Sequence, residues 1–194
     1  MSDKTAAFYA ANAADYVAAG SHRDNLWRDR FLGGLHPGAE ILELGCGGGY
    51  DTQAMMARGF EVTPTDGVPE MAAEAEKRLG RPVRVLGFRD IAFDAAFDGV
   101  FASACLLHAP RDDLATILTR IRRALRPSGI FYASFKAGEG EGMDGLGRYY
   151  NYPDPDWLRQ TFAAAGWPVV TIEEADGSGY DRQPTRWLHV FARL

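Results

Sequence analysis

The stretch ILELGCGGGYD, residues 41–51, decides how the rest of the chain is read. Its first four residues are apolar or acidic and compact enough for a short buried strand. The next five are glycine at every position except Cys46. Directly afterwards DTQAMMAR, residues 51–58, takes up a helical pattern. A strand that runs through such a turn into a helix places the turn at the carboxyl end of the strand, where open α/β sheets hold their ligands. Absent β-carbons permit positive φ angles and let backbone N–H groups come close to a bound group.

Outward from this junction, short apolar runs alternate with longer periodic ones. Strands are expected at 41–44, 60–65, 83–88 and 98–105, and helices at 51–58, 69–79 and 111–125, with Asp112 and Asp113 at the positive end of the last helix dipole. The turn RPSG, residues 126–129, leads into the strand IFYASFK. This alternation implies βαβ units and a parallel sheet. Pro64 inside the second strand implies a bulge or a missing ladder bond. Ahead of residue 36 the pattern is helical, through Tyr9, Tyr16 and Val17 and then Trp27, Phe31 and Leu32, with Gly20 and Ser21 as breakers. Beyond Lys136 the rhythm stops: Gly138, Gly140, Gly142, Gly145 and Gly147 predict a long flexible connection. A helix over 155–165 follows, then strands at 168–173 and 186–192 joined by the loop ADGSGYDRQP and expected to pair antiparallel. The expectation is one Rossmann-like α/β domain over 1–194, with 1–35 as a helical N-terminal cap.

With 194 residues, 46% hydrophobic and 24% charged, the composition is that of a globular protein with one sizeable core. Asp3, Lys4, Asn12 and Asp15 interrupt any apolar leader in the first 16 residues, and no run reaches membrane-spanning length, so a cytoplasmic protein without a membrane partner is expected. Net charge is -5, and the basic run RIRRALR carries Ile121, Ala124 and Leu125 at helical spacing, which reads as a solvated helix face and not a nucleic-acid stripe. Cys46 and Cys105 have no CxxC spacing, so neither a disulfide framework nor a thiolate metal site is expected.

The dinucleotide fingerprint G-x-G-x-x-G would need glycine at position 50, where Tyr50 stands; the spacing is E-x-G-x-G-x-G, led by Glu43. A carboxylate two residues ahead of the turn is a poor neighbour for pyrophosphate and suits a cationic ligand. S-adenosylmethionine, with a sulfonium and an ammonium against one carboxylate, is such a ligand. Asp66 ends the second strand 23 residues after Glu43, the offset of an acid that grips ribose hydroxyls; capping the following helix is its other reading, and both roles are compatible. After the third strand, Asp90 is placed to accept an adenine amino group, with Ile91 beside the ring.

Taken together, ILELGCGGG, VTPTDGVPEM, RDIAFDAAFDGVFASACLLHAP and ILTRIRRALRPSGIFYASF resemble the class I S-adenosylmethionine-dependent methyltransferases, in particular small bacterial ones of methyltransferase type 11 or 12, among them tellurite-resistance-like and ubiquinone-biosynthesis-like members. The resemblance covers most of the chain. It implies a seven-stranded sheet of order 3-2-1-4-5-7-6 with the last strand antiparallel. It implies cofactor contacts from Tyr16, Glu43, Gly45, Cys46, Gly47, Gly49, Asp66, Gly67, Met71, Asp90, Ile91 and Ala104, with the N-terminal helix as a lid. Gly67 stands where the family usually has a larger residue.

Methyl transfer is an in-line displacement that mainly needs a positioned nucleophile and the exclusion of water. His108, in LLHAP after the fourth strand, is read as a base or an orienting group, or else as a loop histidine bonded to backbone. Tyr9, Lys136, Arg148 and Tyr149 are candidates for the acceptor side, and Arg182 and Trp187 for its wall, although a tryptophan there also suits the core. The acceptor is expected to be a small molecule, the chain a monomer or homodimer, and the acceptor atom is open. A nicotinamide-dependent oxidoreductase and a non-catalytic S-adenosylmethionine-binding module are the competing readings.

Overall fold

A computed structural model describes residues 2–20 and 25–194; the break expected at Ser21 lies outside them. In chain order the elements are α1 (Asp3–Ala11), α2 (Ala13–Ala19), α3 (Leu26–Gly33), β1 (Glu40–Leu44), α4 (Tyr50–Ala57), β2 (Glu61–Asp66), α5 (Pro69–Leu79), β3 (Arg84–Val85), β4 (Phe97–Ala102), α6 (Leu114–Ala124), β5 (Leu125–Lys136), β6 (Glu141–Met143), β7 (Tyr149–Asn151), α7 (Pro155–Ala164), β8 (Val169–Ser178) and β9 (Pro184–Arg193). Among the described residues, seven strands form one sheet in the order β3-β2-β1-β4-β5-β9-β8. All neighbours up to β5 are parallel, and β9 runs antiparallel to both β5 and β8. With the β6–β7 ribbon left out of the count, this is the expected order.

The strand order reverses beside β1, between β2 and β4, so a crevice opens at the carboxyl ends of β1 and β4. Alternation along β5 divides the core. Phe131, Ala133 and Phe135 pack with the apolar stripe of α6, Leu114, Ile117, Leu118 and Ile121, and with Phe162 of α7. Ile130 and Tyr132 face the other way, onto Phe31 and Leu32 of α3. Proline opens α5 and α7 at positions where the missing N–H costs nothing, and the Asp154 side chain accepts from Trp157 N at 2.9 Å to cap α7.

Several boundaries differ from the sequence reading. The third strand shrinks from 83–88 to Arg84–Val85, because Phe88–Asp90 turns into a 3-10 helix. The fourth ends at Ala102, and Leu106–His108 forms another such turn. The helix expected from 111 begins at Leu114. No register shift accompanies Pro64: the β1–β2 ladder runs unbroken past it, and β3 pairs only with Thr65 and Asp66, which leaves that side of β2 open beside the proline. Half of the loop ADGSGYDRQP is strand, since β8 continues to Ser178 and β9 starts at Pro184; Arg186 braces the two by bonding Glu174 at 3.0 Å and Asp176 at 2.9 Å. The glycine-rich connection after Lys136 is likewise ordered, as the β6–β7 ribbon.

Candidate cofactor and acceptor site

All three alternate glycines of the turn hold left-handed backbone, with φ of 64° at Gly45, 55° at Gly47 and 75° at Gly49. Each lacks its β-carbon for a different reason. At Gly45 one would lie 2.5 Å from Cys105 Cβ, and at Gly49 it would press on Leu79 at 3.1 Å, so these two serve packing against the segment that follows β4 and against α5. At Gly47 the nearest atom would be Met71 Cε at 3.8 Å, and Gly47 lines a cavity of about 950 Å³. Gly47 is therefore the position where backbone stands open to a ligand.

Acidic groups crowd this turn. Glu43 is 3% exposed and accepts a short hydrogen bond from Thr52 Oγ1. Burial, with Asp51 nearby, pushes its carboxyl up to about 8. Asp66 accepts from Gly47 N at 3.0 Å and from Val68 N at 2.9 Å, so it caps the approach to α5 as well as facing the turn. Burial raises it to about 6 despite those bonds. Arg28, 6% exposed, answers Asp51 at 3.0 Å. A cation bound beside these buried acids offsets the burial that raises them, and a cationic cofactor fits such a site.

At the far end of the cavity His108 is 4% exposed. Its Nδ1 lies 2.7 Å from Tyr149 O, and a carbonyl only accepts, so the proton sits on Nδ1. Nε2 then accepts from Tyr9 Oη at 2.9 Å. Burial pulls this imidazole down to about 4, which keeps it neutral. Tyr9 in turn accepts from Arg148 Nη1 at 3.3 Å. Arg148, 1% exposed, is held by Asp144 Oδ2 at 2.7 Å and lies over the rings of Phe8 and Tyr150 at 5.1 and 5.3 Å.

Of the cofactor candidates, Tyr16, Glu43, Gly45, Cys46, Gly47 and Ala104 line the cavity, and so do Tyr9, His108, Lys136 and Arg148 of the acceptor candidates, with Arg182 and Trp187. Asp66 and Met71 are buried at the edge of the turn, Met71 under Ala13 and Val17 of α2. Gly67 adjoins Asp66, to which it donates a backbone bond. Asp90 is exposed and Ile91 is buried in the core beside Phe97 and Leu106; neither reaches the cavity wall. Tyr149 donates instead to Glu141 Oε2 at 2.5 Å. Ala104 holds a left-handed φ of 50°, strained for alanine, while its N–H bonds Ser134 Oγ at 2.8 Å.

Sequence reading missed a group on the β5–β9 face: Tyr132, Ser134 and His189, with Trp27 stacked on His189 at 3.7 Å between ring centres. Their signal was the alternation of Tyr132, Ser134 and Lys136 along one strand, which puts all three on one face.

A family described as a methyltransferase domain matches residues 42–133, the span from β1 through the glycine turn to β5. A crystallised 1,6-didemethyltoxoflavin-N1-methyltransferase of Burkholderia thailandensis, with 1,6-didemethyltoxoflavin and S-adenosylhomocysteine bound, is 25% identical and superposes with a TM-score of 0.74 over 97% of this chain and 86% of its own. Over the matched span the chain carries the methyltransferase domain, and it is similar to the class I S-adenosylmethionine-dependent methyltransferases. Other methyltransferases resemble it in part. The malonyl-[acyl-carrier protein] O-methyltransferase of Serratia marcescens is 32% identical over 68% of this chain and 52% of its own length. The ubiquinone biosynthesis O-methyltransferase of Xanthomonas campestris pv. campestris is 35% identical over 50% and 43%. The chain thus spans about half the length of the curated relatives it matches. Among the described residues no helix is long and apolar enough to cross a membrane, and no cluster of His, Cys, Asp or Glu is arranged to hold a metal ion.

Proposed function

We propose that this chain binds S-adenosylmethionine across the glycine turn and methylates a small molecule held between His108 and the β5–β9 face. The observation that carries the reading is Gly47: left-handed backbone with no β-carbon, opening onto a cavity flanked by acids and ending at a neutral histidine. When bound, the cofactor supplies an electrophilic methyl group. The protein's part is to orient and to manage a proton. Asp66 holds the ribose hydroxyls, and a cationic cofactor beside Glu43 favours release of the proton that burial otherwise keeps on it. Tyr9 stands between Arg148 and the unprotonated Nε2 of His108, so a proton leaving the acceptor passes to the phenol oxygen as the phenol's own proton passes to His108. The helices α1 and α2 roof the cavity through Tyr9, Tyr16 and Ala19 and exclude water. The bound ligands of the Burkholderia structure and the sequence likeness to the two O-methyltransferases support the cofactor and a small acceptor.

Calorimetry with S-adenosylmethionine, S-adenosylhomocysteine and NAD tests this. The first two are expected to bind and NAD is not; NAD binding alone would replace the reading with an oxidoreductase. Asp66→Ala is expected to weaken both adenosyl ligands by about 1–3 kcal/mol through lost charge-assisted hydrogen bonds. Unchanged affinity would remove Asp66 from the ribose. Cofactor binding without turnover across a panel of oxygen and nitrogen acceptors would favour a non-catalytic binding module.

A further inference from the structure

We infer that the acceptor carries an anionic group and that Lys136 receives it; this rests on the methyltransferase reading and names the class of its substrate. Lys136 ends β5 with its side chain 9% exposed, on the wall of the cavity. Its ammonium has three donors, yet its nearest carboxylate, Asp181 Oδ2, is 3.9 Å away, beyond hydrogen-bond reach, and its other neighbour is the face of Tyr150 at 4.8 Å. The β8–β9 turn closes directly on the amine: a β-carbon at Gly179 would stand 2.8 Å from Nζ.

Of the other cations lining the cavity, Arg182 is exposed on the β8–β9 turn and the two buried arginines are already matched. Arg28 is held by Asp29 and Asp51, Arg148 by Asp144, and Asp176 by Arg186. His108 is neutral and adds no charge. A buried ammonium without a close partner is unfavourable, and an anion supplied by the substrate satisfies it. The surroundings set the rest of the molecule. Trp187 is the direct cross-strand neighbour of Lys136 and shares its face, Tyr150 lies beside it, and the Trp27–His189 stack stands on the same β5–β9 face. Such ring faces bury a planar, unsaturated body, with its charge at Lys136. An ammonium is a point charge that accepts carboxylate and phosphate alike, so both are candidates.

The test titrates benzoate, phenyl phosphate and benzamide into the full chain saturated with S-adenosylhomocysteine, read by calorimetry. At least one anion is expected to bind about tenfold or more tightly than benzamide, and the tighter of the two identifies the group. Lys136→Met is expected to abolish that preference while S-adenosylhomocysteine affinity stays at the wild-type level. Lys136→Arg, which keeps the charge and checks the fold, is expected to retain most of it. Equal binding of benzamide and the anions, failure of both anions to bind, or an undiminished preference in Lys136→Met would each overturn the inference. Failure of the wild-type chain to bind S-adenosylhomocysteine would instead defeat the cofactor assignment, and the same titration without it would still decide the role of Lys136.

Discussion

At the scale of single residues, Glu43 ties the turn to solution pH. Its carboxyl is held up to about 8 in the folded chain, against about 4.3 when exposed. Between those values the folded state keeps a proton that the unfolded chain has released, so stability falls as pH rises through the window. His108 and His189 act on the other side: both are pulled down to about 4, the unfolded imidazole takes its proton below about 6.5, and stability falls as pH drops from there. Asp66, raised to about 6, opposes the histidines in the acid range but is fully ionised above it. From about pH 7 to about 7.5 the downward slope is therefore mainly that of Glu43, and towards pH 8 the two buried thiols, raised by burial above their unfolded range, add to it. Glu43→Gln keeps an acceptor for Thr52 and is expected to flatten the decline of melting temperature over that range. A variant curve that falls in parallel with the wild type would show that Glu43 is ionised in the folded chain.

The turn also shows how far a residue can be read before its neighbours are known. Glycines 45, 47 and 49 were legible as a turn because each needs positive φ, a local property. That Gly45 makes room for Cys105 and Gly49 for Leu79 was not legible, because those atoms arrive from 60 and 30 residues further along the chain. Lys136 carries the same lesson: its place on the strand was readable, its lack of a close partner was not.

At the scale of elements, the ribbon β6–β7 departs furthest from its sequence. Five glycines suggested mobility, and a single carboxylate closes the turn of the ribbon that forms instead. Asp144 accepts from Leu146 N at 3.0 Å and Arg148 N at 2.8 Å, and its other oxygen takes the Arg148 guanidinium at 2.7 and 2.9 Å. A four-residue spacing between acid and base reads as a helix pair, and nothing local shows that it closes a ribbon turn here. Arg148 is buried, so removing Asp144 leaves an uncompensated charge. Asp144→Ala is expected to cost about 3–5 kcal/mol of unfolding free energy by denaturant titration, with part of the loss recovered in Asp144→Ala/Arg148→Met. A loss below about 1 kcal/mol would mean that the four surrounding rings alone hold the guanidinium.

At the scale of the whole molecule, the helical character of α1 and α2 was legible from apolar spacing and a lid over the cofactor only from the family resemblance, since the surface they cover is assembled from three distant segments. Tyr50 Oη bonds Val17 O at 3.1 Å and Gly20 O at 3.2 Å over the glycine turn. Tyr149 N donates to Thr5 Oγ1 at 2.7 Å from the ribbon, and Tyr16 stacks on Tyr180 of the β8–β9 turn at 4.6 Å. With Tyr9 on His108, these contacts hold the two helices down on the cavity as a roof, and lifting it widens the way to the glycine turn. Such opening is a local unfolding event, less costly than opening the sheet. Amide hydrogen exchange of α1 and α2 is therefore expected to exceed that of β1 and β4, and to slow several-fold when S-adenosylhomocysteine is added. Tyr50→Phe removes the hydroxyl that ties α2 to the turn and is expected to speed exchange in α2 while leaving β1 and β4 unchanged. Exchange in α1 and α2 that is insensitive both to the ligand and to Tyr50→Phe would place the roof in the rigid body of the fold.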